Sequence, residues 1–144
     1  MENQNIISII KSRFDEIGNP ARIPLIRGGN TFKAEVSADG IFVDNLGNQP
    51  FLPWNVFTEA ISILKVNGGR AKKGDAMNSK LGEKKLPLNS VEGHIAEKVY
   101  GYKNGAYVFR RITPIACILI WAKICQHKPG ELILSGESKS ELHK

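Results

Sequence analysis

Apolar residues in the first fifty positions follow two different periods. Between residues 6 and 17 they recur at helical spacing among charged residues, and Gly18 follows as a helix end. Residues 32–36 instead alternate between apolar and polar side chains, which is the period of a half-buried strand, and a second strand follows at 41–44. The pattern predicts an amphipathic helix beside a small antiparallel sheet within residues 1–52.

Helical spacing returns at residues 54–66, after a connection at 45–53 that contains glycine and two prolines. Residues 70–81 are predicted as a short helix, and residues 83–88 form a lysine-rich loop. A further helix is predicted over residues 90–99, capped by the asparagine or serine at its start.

The remaining elements are a hairpin, an apolar helix and a strand. Asn104-Gly105 supplies the positive-φ positions of a tight turn, so residues 100–111 are predicted as a β-hairpin. A helix is predicted over residues 114–125, and its stretch 115–122 has no polar residue. Such a helix must be covered nearly all round, by the core or by a second subunit, and the core is the favoured interpretation in so short a chain. A last strand is predicted over residues 131–134.

These elements predict an α+β protein with two parts. Residues 1–52 form the helix and small antiparallel sheet. Residues 53–135 form a second module, which includes the buried apolar helix near its end. Residues 136–144 are polar and are predicted to be a mobile tail.

Positive charge is concentrated in the second module. The 144 residues carry a net charge of +6, and the segment 65–111 has eleven Lys and Arg against four acids. The first 64 residues instead have five bases against seven acids. A concentrated positive charge favours a polyanionic partner, although a solvated lysine-rich loop would give the same composition.

Residues 54–111 resemble the winged helix-turn-helix superfamily of DNA-binding proteins. The resemblance lies in the order of elements, which is helix, glycine-rich turn, short helix, loop, capped helix and hairpin with a basic end. It implies that residues 90–99 are the recognition helix and residues 100–111 the wing. The implied function is non-catalytic binding of double-stranded DNA, regulatory or accessory to a DNA-processing system.

The resemblance also implies two sets of DNA-binding residues. Basic residues of the loop and the hairpin would contact phosphates, and polar residues on the recognition helix would approach bases. The first set is Lys72, Lys73, Lys80, Lys103, Arg110 and Arg111, and the second is Ser90, Gly93, His94 and Glu97.

Two other functions are consistent with the residues. Asp75, Glu83 and Lys85 match part of a nuclease metal site, although a three-residue pattern in a basic loop is expected by chance. The chain would otherwise be a protein-binding adaptor with a solvated loop. If the helix at 114–125 lay at a subunit interface and not in the core, the protein would form a homodimer through it.

Apart from that partial nuclease pattern, the sequence contains no pattern that predicts a cofactor, a metal site or a catalytic residue. The histidines and cysteines lack the spacing of zinc ligands. Cys117 and Cys125 are predicted to lie in one helix, too far apart for a disulfide, and buried free thiols are typical of a reducing compartment. No membrane segment is predicted, so the expected location is the cytoplasm.

Overall fold

A computed structural model describes residues 2–135, and the predicted tail at 136–144 lies outside these residues. The chain folds into α-helices and two antiparallel sheets, which confirms the α+β class. The helices are α1 (Glu2–Ile17), α2 (Trp54–Val66), α3 (Val91–Lys98) and α4 (Ile112–Trp121). The strands are β1 (Ala21–Pro24), β2 (Thr31–Val36), β3 (Gly40–Val43), β4 (Phe51–Pro53), β5 (Arg70–Lys72), β6 (Cys125–Lys128) and β7 (Glu131–Leu134).

The first sheet has the strand order β1-β2-β3-β4, with each strand antiparallel to the next. Phe32 and Ala34 of β2 are buried, as the alternation predicts. The segment predicted as a connection, residues 45–53, ends in a strand, because β4 pairs with β3. Three residues ending in proline give too weak a periodic signal to identify an edge strand.

The second sheet has the strand order β5-β7-β6. The predicted helix over residues 70–81 is wrong, because Arg70–Lys72 pair with Glu131–Ile133 in this sheet. Gly74 then turns the chain with a φ of +92°, a value that side-chain-bearing residues rarely adopt. Long-range pairing has therefore overridden a weak local helical pattern.

Helix α2 lies at the centre of the fold. It contacts the other three helices and strands β4, β5 and β7. Its buried residues join one main hydrophobic cluster, which contains residues from both predicted parts of the chain, from Ile6 to Leu134. A smaller cluster of Leu81, Leu86, Ala96 and Val108 attaches the long loops to α3.

Helix α4 is a core helix, as the favoured interpretation predicts. Ile115 to Leu119 are all buried within the single chain, and only Thr113, Ile120 and Trp121 of α4 are partly exposed. The helix ends at Trp121, so the prediction that Cys117 and Cys125 share one helix is wrong. Cys125 lies on β6, and both thiols are free and buried.

The predicted hairpin over residues 100–111 is not found: within residues 2–135, this segment contains a turn at Asn104-Gly105 and no strand. Apart from the turn bond from the Ala106 N–H to the carbonyl of Lys103, at 3.0 Å, its backbone bonds to other segments. The Leu81 N–H donates to the carbonyl of Ala106 at 2.9 Å, and the Gly105 N–H donates to the carbonyl of Leu81 at 2.7 Å. The Asn104-Gly105 pair correctly predicts a turn, but it does not determine whether the residues on either side pair as strands.

No helix within residues 2–135 has the length and apolar character that spanning a membrane requires.

Candidate functional site

A cavity of about 560 Å³ opens where four separate segments of the chain meet. These are the end of β1, the turn after β5, the start of α4 and the turn between β6 and β7. The polar residues that line the cavity are Arg27, Lys73, Asp75, Asn78, Arg110 and Thr113, and we call it the cationic cleft.

Three cations and one carboxylate line this cleft. Burial lowers the pKa of Lys73, and the nearby charges of Arg27 and Arg110 lower it further. Among residues 2–135, no carboxylate forms a salt bridge with any of the three cations. Burial also lowers the pKa of His127 on β6, with further contributions from Lys73 and Arg27. Within the described residues, the cleft therefore has three cations without a salt bridge and one carboxylate, and its lining is positive on balance.

Among residues 2–135, Asp75 is the one acidic residue that lines the cleft, and its own turn orients it. Its Oδ1 accepts from the Met77 N–H at 3.2 Å, and its Oδ2 accepts from the Asn78 amide at 3.0 Å. The hydrogen bond from Asn78 is the main reason that the pKa of Asp75 is lowered. This carboxylate stays ionised and reduces the positive potential of the cleft.

Backbone bonds hold Lys73 in place from two sides. Its N–H donates to the carbonyl of Gly130 at 2.9 Å, in the turn between β6 and β7. Its carbonyl accepts from the Glu92 N–H at 2.9 Å, at the start of α3. The cleft therefore forms only when β5, the β6–β7 turn and α3 have come together.

Glu92 connects α3 to α4. Its side chain is 1% exposed, and Oε1 accepts from the backbone N–H groups of Arg111 at 2.9 Å and Ile112 at 3.1 Å. These two donors lie at the start of α4, where no preceding turn of helix can accept from them. Burial raises the pKa of Glu92, although both backbone donors and the arginines oppose that shift.

Arg111 is buried and bonded within the protein. Only 6% of its surface is exposed, so the prediction that it lies at an exposed hairpin end is wrong. Its guanidinium lies 3.7 Å from the ring centroid of Tyr100 and 4.8 Å from that of Phe109, and Nη2 donates to Gln49 Oε1 at 2.6 Å. Arg110 and Arg111 are adjacent in sequence but differ completely in environment.

The predicted recognition helix also differs from expectation. Ser90 is buried as the N-cap of α3, where Oγ accepts from the Gly93 N–H and donates to the carbonyl of Pro87. Gly93 is buried against the same carbonyl, so the prediction that these two residues lie on an exposed face is wrong. His94 Nε2 contacts Glu59 Oε1 at 2.8 Å and connects α3 to α2. Glu97 alone among the four is exposed.

We predict that Gly93→Ala destabilises the protein by about 2 kcal/mol. A Cβ at this position would overlap the backbone carbonyl oxygen of Pro87 and lie 2.9 Å from the Ser90 cap. Overpacking and loss of the cap outweigh the helix-propensity gain of about 1 kcal/mol. Urea unfolding measures the difference, and Gly29→Ala is the matched control because nothing lies within 4 Å of its Cβ position. Equal effects of the two substitutions would contradict the prediction.

The other predicted phosphate-binding lysines lie outside the cleft lining. Lys72 and Lys103 are exposed, and Lys80 lies over the ring of Tyr107 with its Nζ 4.9 Å from the centroid. Among the nuclease candidates, Glu83 accepts from the Lys80 N–H at 2.6 Å, and Lys85 accepts from the Asp75 N–H through its backbone carbonyl. Within residues 2–135, no three His, Cys, Asp or Glu side chains are grouped closely enough to hold a metal ion.

Sequence reasoning identified Lys73 and Arg110 but missed Arg27. Arg27 lies in the acidic first half of the chain, in the glycine-containing loop between β1 and β2. It reaches the cleft because the strand before it, β1, contacts α4, which comes much later in the chain. No local signal could have indicated that contact.

No protein-family model matches this sequence, and no curated protein and no solved structure shows significant similarity to it. The geometry and charge of the cleft are therefore the observations that bear on function.

Proposed function

We propose that the protein binds DNA without catalysis, through backbone phosphates held in the cationic cleft. The observation that carries the proposal is the convergence of Arg27, Lys73 and Arg110 on one cavity, with no salt bridge to a carboxylate among residues 2–135. A bound phosphate would supply the missing counter-charge. Double-stranded DNA, the partner implied by the resemblance, is the first ligand to test.

The three cations suit a phosphate for different reasons. The two arginines present planar guanidinium groups that can donate two parallel hydrogen bonds to phosphate oxygens. Lys73 is half-buried, so its ammonium group has already lost part of its hydration. A phosphate there would compensate for that loss and for the repulsion between like charges.

Helix α3 offers few side chains that could contact DNA bases. Ser90 and Gly93 are buried, and His94 is bonded to Glu59, so Glu97 is the exposed member of the set. Phosphate contacts position a protein on DNA but carry no sequence information. The proposal accordingly assigns affinity to the cleft, with Lys72, Lys80 and Lys103 adding long-range attraction. The free buried thiols Cys117 and Cys125 fit a cytoplasmic location.

Titration of a fluorescent duplex at several salt concentrations tests the proposal. Three phosphate contacts predict that a plot of log affinity against log salt has a slope of about −3. The titration is repeated with EDTA and with magnesium, and the DNA is recovered and sized. Absence of binding at low salt by both the duplex and one of its single strands would refute the proposal, and cleavage in magnesium would favour the nuclease alternative.

We predict that Asp75→Asn increases the affinity for DNA by about two- to fivefold at low salt, because it removes the one negative charge that lines the cleft. Asparagine keeps an oxygen that can accept from the Met77 N–H but has no second oxygen for the Asn78 amide, so circular dichroism is used to check that the variant is folded. Glu97→Gln is the matched control, since it removes an equally negative side chain that is exposed on α3 outside the cleft lining. An equal gain from both variants would mean that only total charge matters.

A further inference from the structure

A second cavity of about 550 Å³ adjoins the cationic cleft. The two cavities share Met77, Arg110 and Thr113 as lining residues, so they lie side by side. We call the second cavity the side pocket. Its volume falls within the range of about 300–1,000 Å³ that is usual for small-molecule sites.

The side pocket differs from the cleft in its chemistry. Leu46, Val108 and Phe109 supply an apolar wall, and Asn45 and Asn48 supply exposed amides that can donate and accept hydrogen bonds. Met77 lies between the two cavities with 66% of its surface exposed. An exposed thioether beside an aromatic ring and two amides suits a flat ligand with polar edges.

We propose that the side pocket binds an unpaired nucleobase, attached to a phosphate that lies in the cationic cleft. The proposal rests on the proposed function, and it narrows the ligand to single-stranded DNA or to a locally opened duplex. Arg110 lines both cavities, so it stands where the phosphate and its nucleoside would join. A base inside an intact duplex is stacked on both faces and paired along one edge, so it could not enter this pocket.

The wall of the side pocket is held in position before any ligand arrives. Arg111 lies against the Phe109 ring and donates to Gln49 Oε1, which connects the aromatic wall to the loop that carries both asparagines. The Gln49 N–H in turn donates to the carbonyl of Leu46 at 3.1 Å. Arg111 is therefore a positioning residue, and the base would meet a preformed surface at a smaller entropic cost.

Three fluorescent DNA ligands of equal length test the inference by anisotropy titration. They are a single strand, the same strand with abasic sites throughout, and the duplex. The abasic strand keeps the backbone charge and removes only the bases. Base stacking is worth about 1–3 kcal/mol, so we expect the single strand to bind about five- to a hundredfold more tightly than the abasic strand.

Two variants locate the contact. Met77→Gln and Phe109→Leu should abolish the preference for bases, and Phe109→Leu, which lies outside the cleft lining, should leave affinity for the abasic strand within about twofold. Val66→Gln is the matched control for Met77→Gln, because Val66 is 76% exposed at the end of α2 and lines neither cavity. Circular dichroism establishes that each variant is folded. Because Met77 is exposed, Met77→Gln should stay folded and can still test the preference for bases if Phe109→Leu unfolds.

The outcomes separate this inference from the proposed function. Equal, salt-dependent binding of all three ligands would overturn the side-pocket assignment and leave phosphate binding in the cleft intact. Tightest binding of the duplex, or a preference for bases that survives Met77→Gln, would also overturn the side-pocket assignment alone. Failure of every ligand to bind at low salt would overturn both proposals.

Discussion

Replacement of Glu92 by alanine should lower the free energy of unfolding by about 3 kcal/mol. The substitution leaves the backbone N–H groups of Arg111 and Ile112 without their acceptor, and each buried donor without a partner costs about 1–3 kcal/mol. The loss is reduced because alanine also removes the cost of burying a carboxylate. The measurement is urea unfolding at neutral pH, with the slope of the transition checked for constancy.

Glu92→Gln is the informative control for that experiment. Its amide oxygen can accept from both N–H groups, so stability should stay within about 1 kcal/mol of the wild type. If alanine and glutamine cost the same, the capping bonds are not what Glu92 contributes.

Comparison of the wild type with Glu92→Gln at several pH values also measures the effect of Glu92 titration on stability. Because burial raises the pKa of Glu92 above its ordinary value of 4.5, ionisation disfavours the folded state. The part of Glu92's contribution that depends on its protonation is fully present below pH 4.5 and is lost as the pH rises through the raised pKa. The stability of the wild type relative to Glu92→Gln should therefore fall with rising pH in that window. Asp75 and Glu131, whose pKa values are lowered, act in the opposite sense but equally in both proteins.

The sequence predicted those elements whose periodicity and capping agree with their tertiary surroundings. Helix α2 follows a proline and ends at glycines, β2 alternates cleanly, and α3 is capped by Ser90 as predicted. The prediction of secondary structure failed where strands pair with residues far away in the sequence. The β5 segment has the composition of a loop or a weak helix, and only its register with β7 makes it a strand.

The candidate site was harder to predict, because sequence shows charge but not burial. Nothing in the sequence distinguishes Arg110 from Arg111, yet Arg110 lines the cleft and Arg111 is buried against two aromatic rings. In the sequence, Glu92 is only one of the four acids of the segment 65–111, whereas in the structure it holds the start of α4. These assignments depend on which loops meet, and loop contacts leave no periodic pattern.

The triple substitution of Arg27, Lys73 and Arg110 by glutamine should reduce the affinity for DNA by about a hundredfold at low salt. Charge-assisted hydrogen bonds contribute about 1.5–3 kcal/mol each, and effects at neighbouring positions are not additive. The slope of log affinity against log salt should flatten by about one unit for each lost phosphate contact. Fluorescence anisotropy across a salt series measures both quantities.

The triple substitution of Lys72, Lys80 and Lys103 by glutamine is its matched control, because it removes the same charge from outside the cleft lining. If attraction by net charge alone explained binding, the two triple variants would lose equal affinity. If the cleft holds phosphates, the control should retain most of the affinity and most of the salt slope. The cleft variant should also remain folded, because glutamines relieve the mutual repulsion that helps lower the pKa of Lys73. A cleft variant that is folded yet binds as tightly as the control would refute the assignment of DNA binding to these three residues.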